Sequence, residues 1–96
     1  MKKNQLIKLT AKRSGMTQEA TARAVNTFLE VVSTAIAAGE PVMIHGFGEF
    51  TQVELPAMKS SMNGRSGTKY VPPRRSVGWR PSPVLKRRMN KRLING

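Results

Sequence analysis

The apolar residues near the amino terminus recur with helical spacing and predict a short amphipathic helix. Leu6 and Ile7 are followed by Thr10 and Ala11, the i, i+3, i+4 pattern that places side chains on one face of a helix. Gly15 comes shortly afterwards, and glycine commonly ends helices because it adopts the left-handed conformation without strain. The pattern therefore predicts a first helix that ends at Gly15.

A second, longer helix is predicted between Thr17 and Gly39, with a length of about 21 residues. Thr17 is suited to cap the first turn, and Glu19 lies favourably near the positive end of the helix dipole. Pro41 supports a stop at Gly39. The apolar stripe of this helix contains Ala24, Val25, Phe28, Leu29, Val31, Val32, Ala35 and Ile36. Because the stripe is wider than one small helix needs, we expect it to contact both the first helix and a second subunit.

Residues 41–54 have the pattern of two strands joined by a glycine-rich turn. The first strand is expected at residues 41–45, and residues 46–54 are expected to form the turn and the next strand. Phe47 and Phe50 are three positions apart, so strict alternation would put them on opposite faces of the sheet. The neighbouring glycines permit a turn or bulge that brings both rings into the core.

The following segment, residues 55–73, has few large apolar side chains and many turn formers. It cannot bury itself, so we expect a mobile, basic protrusion. Further strands are expected at residues 70–71 and 76–79, on either side of residues 72–75.

The last helix is predicted over residues 82–96. Ser82 is suited to the N-cap, and Pro83 to the first helical position. The residues expected to anchor this helix are Val84, Leu85, Met89 and Leu93. The basic residues around them are Lys86, Arg87, Arg88, Lys91 and Arg92.

Charge is divided unevenly along the chain, which has 96 residues and a net charge of +12. Residues 1–54 contain six Lys and Arg and all five Glu, whereas residues 55–96 contain eleven Lys and Arg and no acidic side chain. Such a cationic half repels itself unless a polyanion is present. A nucleic acid is the most common polyanion in a cell, so nucleic-acid binding is the first hypothesis.

Catalytic and metal-binding functions have little support in the sequence. There is no Cys, and His45 is the only His, so no set of metal ligands is expected. Glu49 and Glu54 could form a carboxylate pair, but no pocket signature surrounds them. We therefore expect no enzyme activity, no cofactor and no small-molecule substrate, with at most a minor DNA contact from His45.

Several short segments at characteristic spacing carry a resemblance to a known family. They are residues 4–7 (Asn-Gln-Leu-Ile), Gly39, residues 46–50 (Gly-Phe-Gly-Glu-Phe), residues 79–83 (Trp-Arg-Pro-Ser-Pro) and residues 85–86 (Leu-Lys). Across nearly its whole length, the chain resembles the bacterial histone-like HU and integration host factor family of architectural DNA-binding proteins.

The resemblance implies an α+β fold in one domain, residues 1–96, with the order ααββ-arm-βα. It further implies an intertwined dimer, either a homodimer or a heterodimer with a paralogue. The helical dimerisation base would be residues 1–39. A β-saddle would span residues 40–81, with an extended β-ribbon arm at about residues 55–73. The C-terminal basic helix would be residues 82–96.

By resemblance, the arms lie in the minor groove of DNA and insert a proline between base pairs at their tips. The family tip is Gly-Arg-Asn-Pro, whereas residues 61–65 here are Ser-Met-Asn-Gly-Arg and contain no proline. Pro56, Pro72 and Pro73 lie at the base of the predicted arm. Because methionine also serves as a wedge in minor-groove proteins, Met62 is the predicted substitute.

The predicted DNA contacts fall into an arm group and a body group. A body-side phosphate clamp is expected from Arg80, Ser82 and Lys86, because a helix start offers free N–H groups to an anion. Lys3 is expected to have a similar role near the first helix, and Trp79 to serve packing. The arm group is Lys59, Met62, Asn63, Arg65, Lys69, Arg74 and Arg75.

The sequence therefore predicts a protein that binds duplex DNA through phosphates and the minor groove and bends or compacts it. Sequence specificity is expected to be low, because no dense set of major-groove readers is present. A basic RNA-binding or ribosomal-type protein is the alternative, and a membrane-active helix at residues 82–94 is a third hypothesis. By resemblance, the location would be cytoplasmic and nucleoid-associated, in a bacterium or as a phage product.

Overall fold

The computed structural model describes residues 1–61 and 68–95 of the chain. The elements are α1 (Lys3–Ser14), α2 (Gln18–Ala37), β1 (Val42–Ile44), β2 (Gly48–Leu55), β3 (Met58–Ser61), β4 (Thr68–Val71), β5 (Arg74–Pro81) and α3 (Pro83–Asn95). The predicted α+β class is confirmed. The chain divides into two units, Met1–Ala35 and Ile36–Gly96, which are described separately.

The first unit begins with α1, which ends at Gly15 as the sequence predicts. At the start, the Lys2 backbone N–H donates to Oε1 of Gln5 at 2.8 Å. At the end, Gly15 is left-handed with a φ of 72°. Ile7 and Ala11 are the buried apolar residues of this helix, at 8% and 3% exposure. Half of the predicted apolar face is therefore packed in the single chain, whereas Leu6 is 49% exposed and Thr10 is also exposed.

Helix α2 begins at the predicted cap, because the Ala20 N–H donates to Oγ1 of Thr17 at 3.1 Å. Thr21 is 2% exposed and donates its hydroxyl to the Thr17 carbonyl. By contrast, much of the apolar stripe lies open in the single chain, since Phe28 is 53% exposed and Val31 is 62% exposed. The described core is consequently small for a stable domain.

The second unit contains a three-stranded antiparallel sheet with the strand order β1-β2-β5. Strand β1 pairs with β2 from Val42 opposite Phe50 to Ile44 opposite Gly48. Between them, Gly46 adopts a φ of 81°, and the Phe47 N–H donates to the Ile44 carbonyl at 2.9 Å. The expected strand–turn–strand arrangement is confirmed, although β1 is shorter than predicted at both ends.

A separate two-stranded ribbon, β3 with β4, forms the described part of the predicted arm. It pairs from Met58 opposite Val71 to Ser61 opposite Thr68. The β2–β5 ladder ends where Leu55 lies opposite Arg74. The three prolines of the arm base lie between these two ladders, where their missing N–H groups cannot support continuous pairing.

Strand β5 begins earlier than predicted. The sequence pattern predicts Arg74 and Arg75 in a connection between strands, but both belong to β5 and pair with Leu55 and Glu54. The prediction is wrong because it treats the whole basic run as a break. Only the two prolines before Arg74 interrupt the strand, whereas arginine is compatible with an exposed strand position.

Helix α3 starts as predicted, with Ser82 at the N-cap and Pro83 at the first position. The Leu85 N–H donates to Oγ of Ser82 at 3.1 Å. Leu85 is half-buried, whereas Val84 and Met89 are 41% and 69% exposed. The anchoring expected of Met89 is therefore wrong within one chain, whereas Val84 is covered over somewhat more than half of its surface. The anchoring role predicted for Leu93 concerns a side chain outside the described part of the structure.

Candidate nucleic-acid interface

Strand register sorts the β1-β2-β5 sheet into two faces, because residues directly opposite each other point to the same side and successive residues alternate. The saddle face carries Met43, Glu49, Thr51, Val53, Leu55, Arg74, Ser76, Gly78 and Arg80. The aromatic face carries Val42, Ile44, Gly48, Phe50, Gln52, Glu54, Arg75, Val77, Trp79 and Pro81.

Three rings form a cluster on the aromatic face. The Trp79 ring centroid lies 5.8 Å from that of Phe47 and 6.2 Å from that of Phe50, and the two phenylalanines are 6.3 Å apart. Phe47 reaches this cluster from the turn, so both phenylalanines meet as expected, but Phe47 and Trp79 stay 45% and 48% exposed and do not lie in the core of the single chain. The rings have the spacing of stabilising aromatic pairs. The role in packing assigned to Trp79 is therefore supported.

Gly48 allows this cluster to form. A Cβ at position 48 would lie 2.8 Å from the Arg80 carbonyl oxygen and closer still to the indole nitrogen of Trp79. Any larger residue would push β5 away from β2, because real Cβ contacts are longer than this. The Gly-Phe-Gly sequence therefore serves two needs: a left-handed turn at Gly46 and close strand approach at Gly48.

A polar side chain on the aromatic face joins the sheet to the end of α2. Nε2 of Gln52 donates to the carbonyl oxygens of Ile36 and Ala37, both at 3.2 Å. These carbonyls belong to the last turn of α2, where intrahelical partners run out. Gln52 is thus held on the aromatic face against the end of α2.

The saddle face has arginines at its two ends and small residues between them. Arg80 lies near β1, Arg74 lies at the arm base, and both are exposed. Gly78 lies opposite Thr51 in the middle, where the sheet projects little side-chain bulk. A floor of small side chains with an arginine at each end suits the backbone of a duplex, whose phosphates repeat at regular intervals.

At the start of α3, the saddle face borders a cavity of about 330 Å³. Its lining includes His45, Glu49, Arg80 and Ser82. The structure therefore brings Arg80 and Ser82 together, as predicted for a phosphate clamp. Lys86 follows one turn later, exposed, with its N–H donating to the Ser82 carbonyl. The helix start adds a favourable dipole to this cationic corner.

Two of the predicted DNA-contact residues do not lie on the saddle face. Arg75 is on the aromatic face opposite Glu54, so the sheet does not place it beside Arg74 and Arg80. Lys3 belongs to the first unit, where its Nζ donates to Oδ1 of Asn26 at 2.9 Å.

The remaining predicted contacts belong to the arm. Lys59 is exposed on β3, opposite Tyr70 on β4. Lys69 lies in β4 with its backbone opposite Ser60. The predictions for Met62, Asn63 and Arg65 fall outside the described residues.

Sequence reasoning misses two features of this interface. Tyr70 is 60% exposed on the ribbon and shares a face with Lys59, which strand pairing alone could have revealed. The sequence suggests only a catalytic role for Glu49, yet this residue lies on the saddle face opposite Arg80. Its pairing depends on the register of β2 with β5, which the linear sequence does not give.

Metal and membrane functions gain no support from the described part of the chain. Within residues 1–61 and 68–95, no group of three or more His, Cys, Asp or Glu is arranged to hold a metal ion. Among the helices in these same ranges, none combines the length and the apolar character needed to cross a bilayer.

Comparison with known proteins agrees with this architecture. A family model described as bacterial DNA-binding protein matches residues 1–90. Integration host factor subunit alpha of Caulobacter vibrioides is 35% identical over 80 residues, covering 82% of this chain and 79% of that protein. DNA-binding protein HU of Thermotoga maritima is 32% identical over 90 residues, covering 93% of this chain and 99% of that protein.

Solved structures of HU proteins share the fold. The Anabaena HU–DNA cocrystal structure matches with a TM-score of 0.86 at 20% identity, covering 93% of this chain and 97% of that chain. A structure of Thermotoga maritima HU matches with a TM-score of 0.62 at 27% identity, covering 93% and 98%. The chain therefore belongs to the bacterial DNA-binding protein family of HU and integration host factor, a family of non-enzymatic, architectural DNA-binding proteins.

Proposed function

We propose that this protein binds duplex DNA as a dimer, through phosphates and the minor groove, and bends it with low sequence specificity. The observation that carries the proposal is the saddle face, where Arg74 and Arg80 flank a floor of small residues that leads into a basic ribbon. The matching Anabaena HU was crystallised with DNA, which supports the same class of partner.

Phosphate contacts supply most of the affinity in this proposal. Arg80, Ser82 and Lys86 act at the start of α3, Arg74 acts at the arm base, and Lys3 contributes from α1. Each neutralised phosphate releases condensed counterions, so binding gains entropy at low salt. Because such contacts do not distinguish bases, they position the duplex without selecting a sequence.

The arms add contacts along the minor groove. Lys59, Lys69 and Arg65 follow the phosphates on either side of the groove, and Asn63 adds a polar contact to the DNA. The minor groove distinguishes base pairs poorly, so the arms respond mainly to groove width and deformability. Met62 acts as the wedge between base pairs, and the cost of unstacking, about a few kcal/mol per step, is offset by the added contact with bent DNA.

The proposed dimer explains the open apolar surfaces of the single chain. Phe28, Leu29 and Val31 are 53%, 44% and 62% exposed, and Phe47 and Trp79 are 45% and 48% exposed. Pairing of two chains would cover such surfaces and supply the core that one short chain lacks. A homodimer is the proposed form, and a heterodimer with a paralogue would cover the same surfaces. The proposed location is the bacterial nucleoid.

The test is a set of binding and bending assays on short duplexes that are intact, nicked or gapped. We expect affinity to fall steeply with salt, with a log–log slope of about −5 to −9 for six to ten phosphate contacts. Fluorescence energy transfer between the duplex ends should increase on binding, most strongly for nicked and gapped DNA, where bending costs less.

Duplex RNA of the same sequence is the competitor in these assays. Equal or stronger RNA binding would favour the RNA-binding alternative, because A-form RNA has a wide, shallow minor groove unsuited to a DNA-type saddle. A flat salt response would contradict the phosphate mechanism. Sedimentation of the free protein at the assay concentration would establish whether it is a dimer.

A further inference from the structure

A carboxylate lies within the cationic corner of the saddle face. Strand register sets Met43, Glu49 and Arg80 side by side across β1, β2 and β5. Residues directly opposite in antiparallel strands have Cβ atoms about 5 Å apart, which is within the reach of a Glu and an Arg side chain. Glu49 and Arg80 also line the same cavity, together with Ser82 at the start of α3.

Glu49 is the only acidic residue on the saddle face of this sheet, where the described cations are Arg74 and Arg80. A phosphate bound at the start of α3 would meet the guanidinium of Arg80, but also the negative charge of Glu49. At about 7 Å, two like charges repel by roughly 0.6 kcal/mol in water and by more where solvent is partly excluded. The carboxylate therefore opposes the phosphate that the corner would otherwise attract.

From this arrangement we infer that Glu49 weakens the body-side phosphate contact by competing with DNA for Arg80. In the free protein, the carboxylate offsets part of the charge of Arg80 across the strands. When DNA binds, the phosphate approaches the same guanidinium, and the negative charge of Glu49 opposes it. This competition lowers the contribution of the body-side contact and leaves a larger share of the affinity to the arms.

The inference rests on the proposed function, and it predicts that removal of the negative charge at position 49 strengthens DNA binding. Removing an acidic residue anywhere raises the net charge, so a matched control is essential. Glu54 is suitable because it belongs to the same strand and also lies opposite an arginine, Arg75, but on the aromatic face. The substitutions Glu49→Gln and Glu54→Gln thus change the total charge equally and differ in the face they alter.

The experiment measures duplex affinity of the full-length variants over a series of salt concentrations, after thermal unfolding has shown that each variant folds. Glu49→Gln should tighten binding about three- to tenfold at low salt, and the gain should shrink as salt rises. Glu54→Gln should tighten it by less than about twofold, as expected for a distant, screened charge. Equal effects of the two substitutions, or weaker binding by Glu49→Gln, would overturn the inference.

A double-mutant cycle with Arg80→Gln establishes whether the effect passes through Arg80. Glu49→Gln should give little gain in the Arg80→Gln background if the two groups act as one unit. An unchanged gain in DNA affinity in that background would contradict the inference that Glu49 acts through Arg80. If Arg80→Gln lowered DNA affinity but Glu49→Gln had no effect, the inference would be wrong and the proposed function would stand. If the natural protein did not bind duplex DNA, the proposed function itself would be wrong.

Discussion

The two faces of the β1-β2-β5 sheet have different compositions and different tasks. The aromatic face presents a ring cluster and a glutamine that bonds to the end of α2, so its residues meet other parts of the protein. The saddle face presents small residues between arginines and has no comparable cluster. In the proposed mechanism, one set of strands therefore supports folding on one side and polyanion binding on the other. Substitutions on the two faces should separate these tasks.

The largest expected effect is a loss of stability caused by a substitution on the aromatic face. Trp79→Ala removes the ring that contacts both Phe47 and Phe50, and truncation of a large packed aromatic costs about 3–5 kcal/mol. Because Trp79 is 48% exposed in one chain, we expect a loss of about 2–4 kcal/mol in the free energy of unfolding. The measurement is urea unfolding at a fixed protein concentration, since the stability of the proposed dimer would depend on concentration.

Val77→Ala is the control for Trp79→Ala. Val77 lies on the same strand and the same face, but it is 53% exposed and outside the ring cluster. We expect it to cost less than about 1 kcal/mol. If Trp79→Ala left stability unchanged but abolished DNA binding, the ring would be a base-stacking group and the division between the faces would be wrong.

The second largest effect is expected on DNA affinity, with little change in stability. Arg80→Gln removes a cation from the saddle face, so duplex binding should weaken by about five- to tenfold. The magnitude of the salt slope should fall by about 1 for each phosphate that the variant no longer neutralises. The free energy of unfolding should change by less than about 0.5 kcal/mol, because the side chain is exposed.

Arg75→Gln removes the same charge from the same strand, but from the aromatic face. Its effect on affinity should therefore be clearly smaller than that of Arg80→Gln, at about twofold or less through long-range electrostatics. Equal losses of affinity in the two variants would show that charge, and not its placement on the saddle face, determines binding.

The smallest expected change in affinity is at the arm tip. Met62→Ala should reduce DNA bending, measured by energy transfer between the duplex ends, while affinity stays within about twofold. Met58→Ala is the matched control, because it removes the same side chain at the start of β3, where Met58 is 51% exposed. Unchanged bending by Met62→Ala would remove Met62 as a wedge and leave the arms as groove-following ribbons.

Much of the fold could be predicted because local signals agree with the tertiary structure. Thr17 and Ser82 each cap the helix predicted for them, and Gly15 and Gly46 take the left-handed conformations their positions require. Caps and turns depend on residues within a few positions of each other, so the linear pattern contains the relevant information.

Predictions that depend on distant partners are less successful. Helical spacing predicts an anchoring role for Met89, yet this side chain is exposed in the single chain. Arg74 and Arg75 form one basic group in the sequence, although neighbouring residues of a strand point to opposite faces. The candidate interface could therefore be predicted in its charge and general location, but not in its orientation.

The sequence by itself determined the order of the elements, their caps and turns, and the concentration of positive charge in the second half, because these properties are local or additive. Only the tertiary structure decided which arginines share a face, that Glu49 lies opposite Arg80, and that Phe47 joins Phe50 and Trp79. The physical reason is register: a shift of one residue between two strands reverses the face of every side chain.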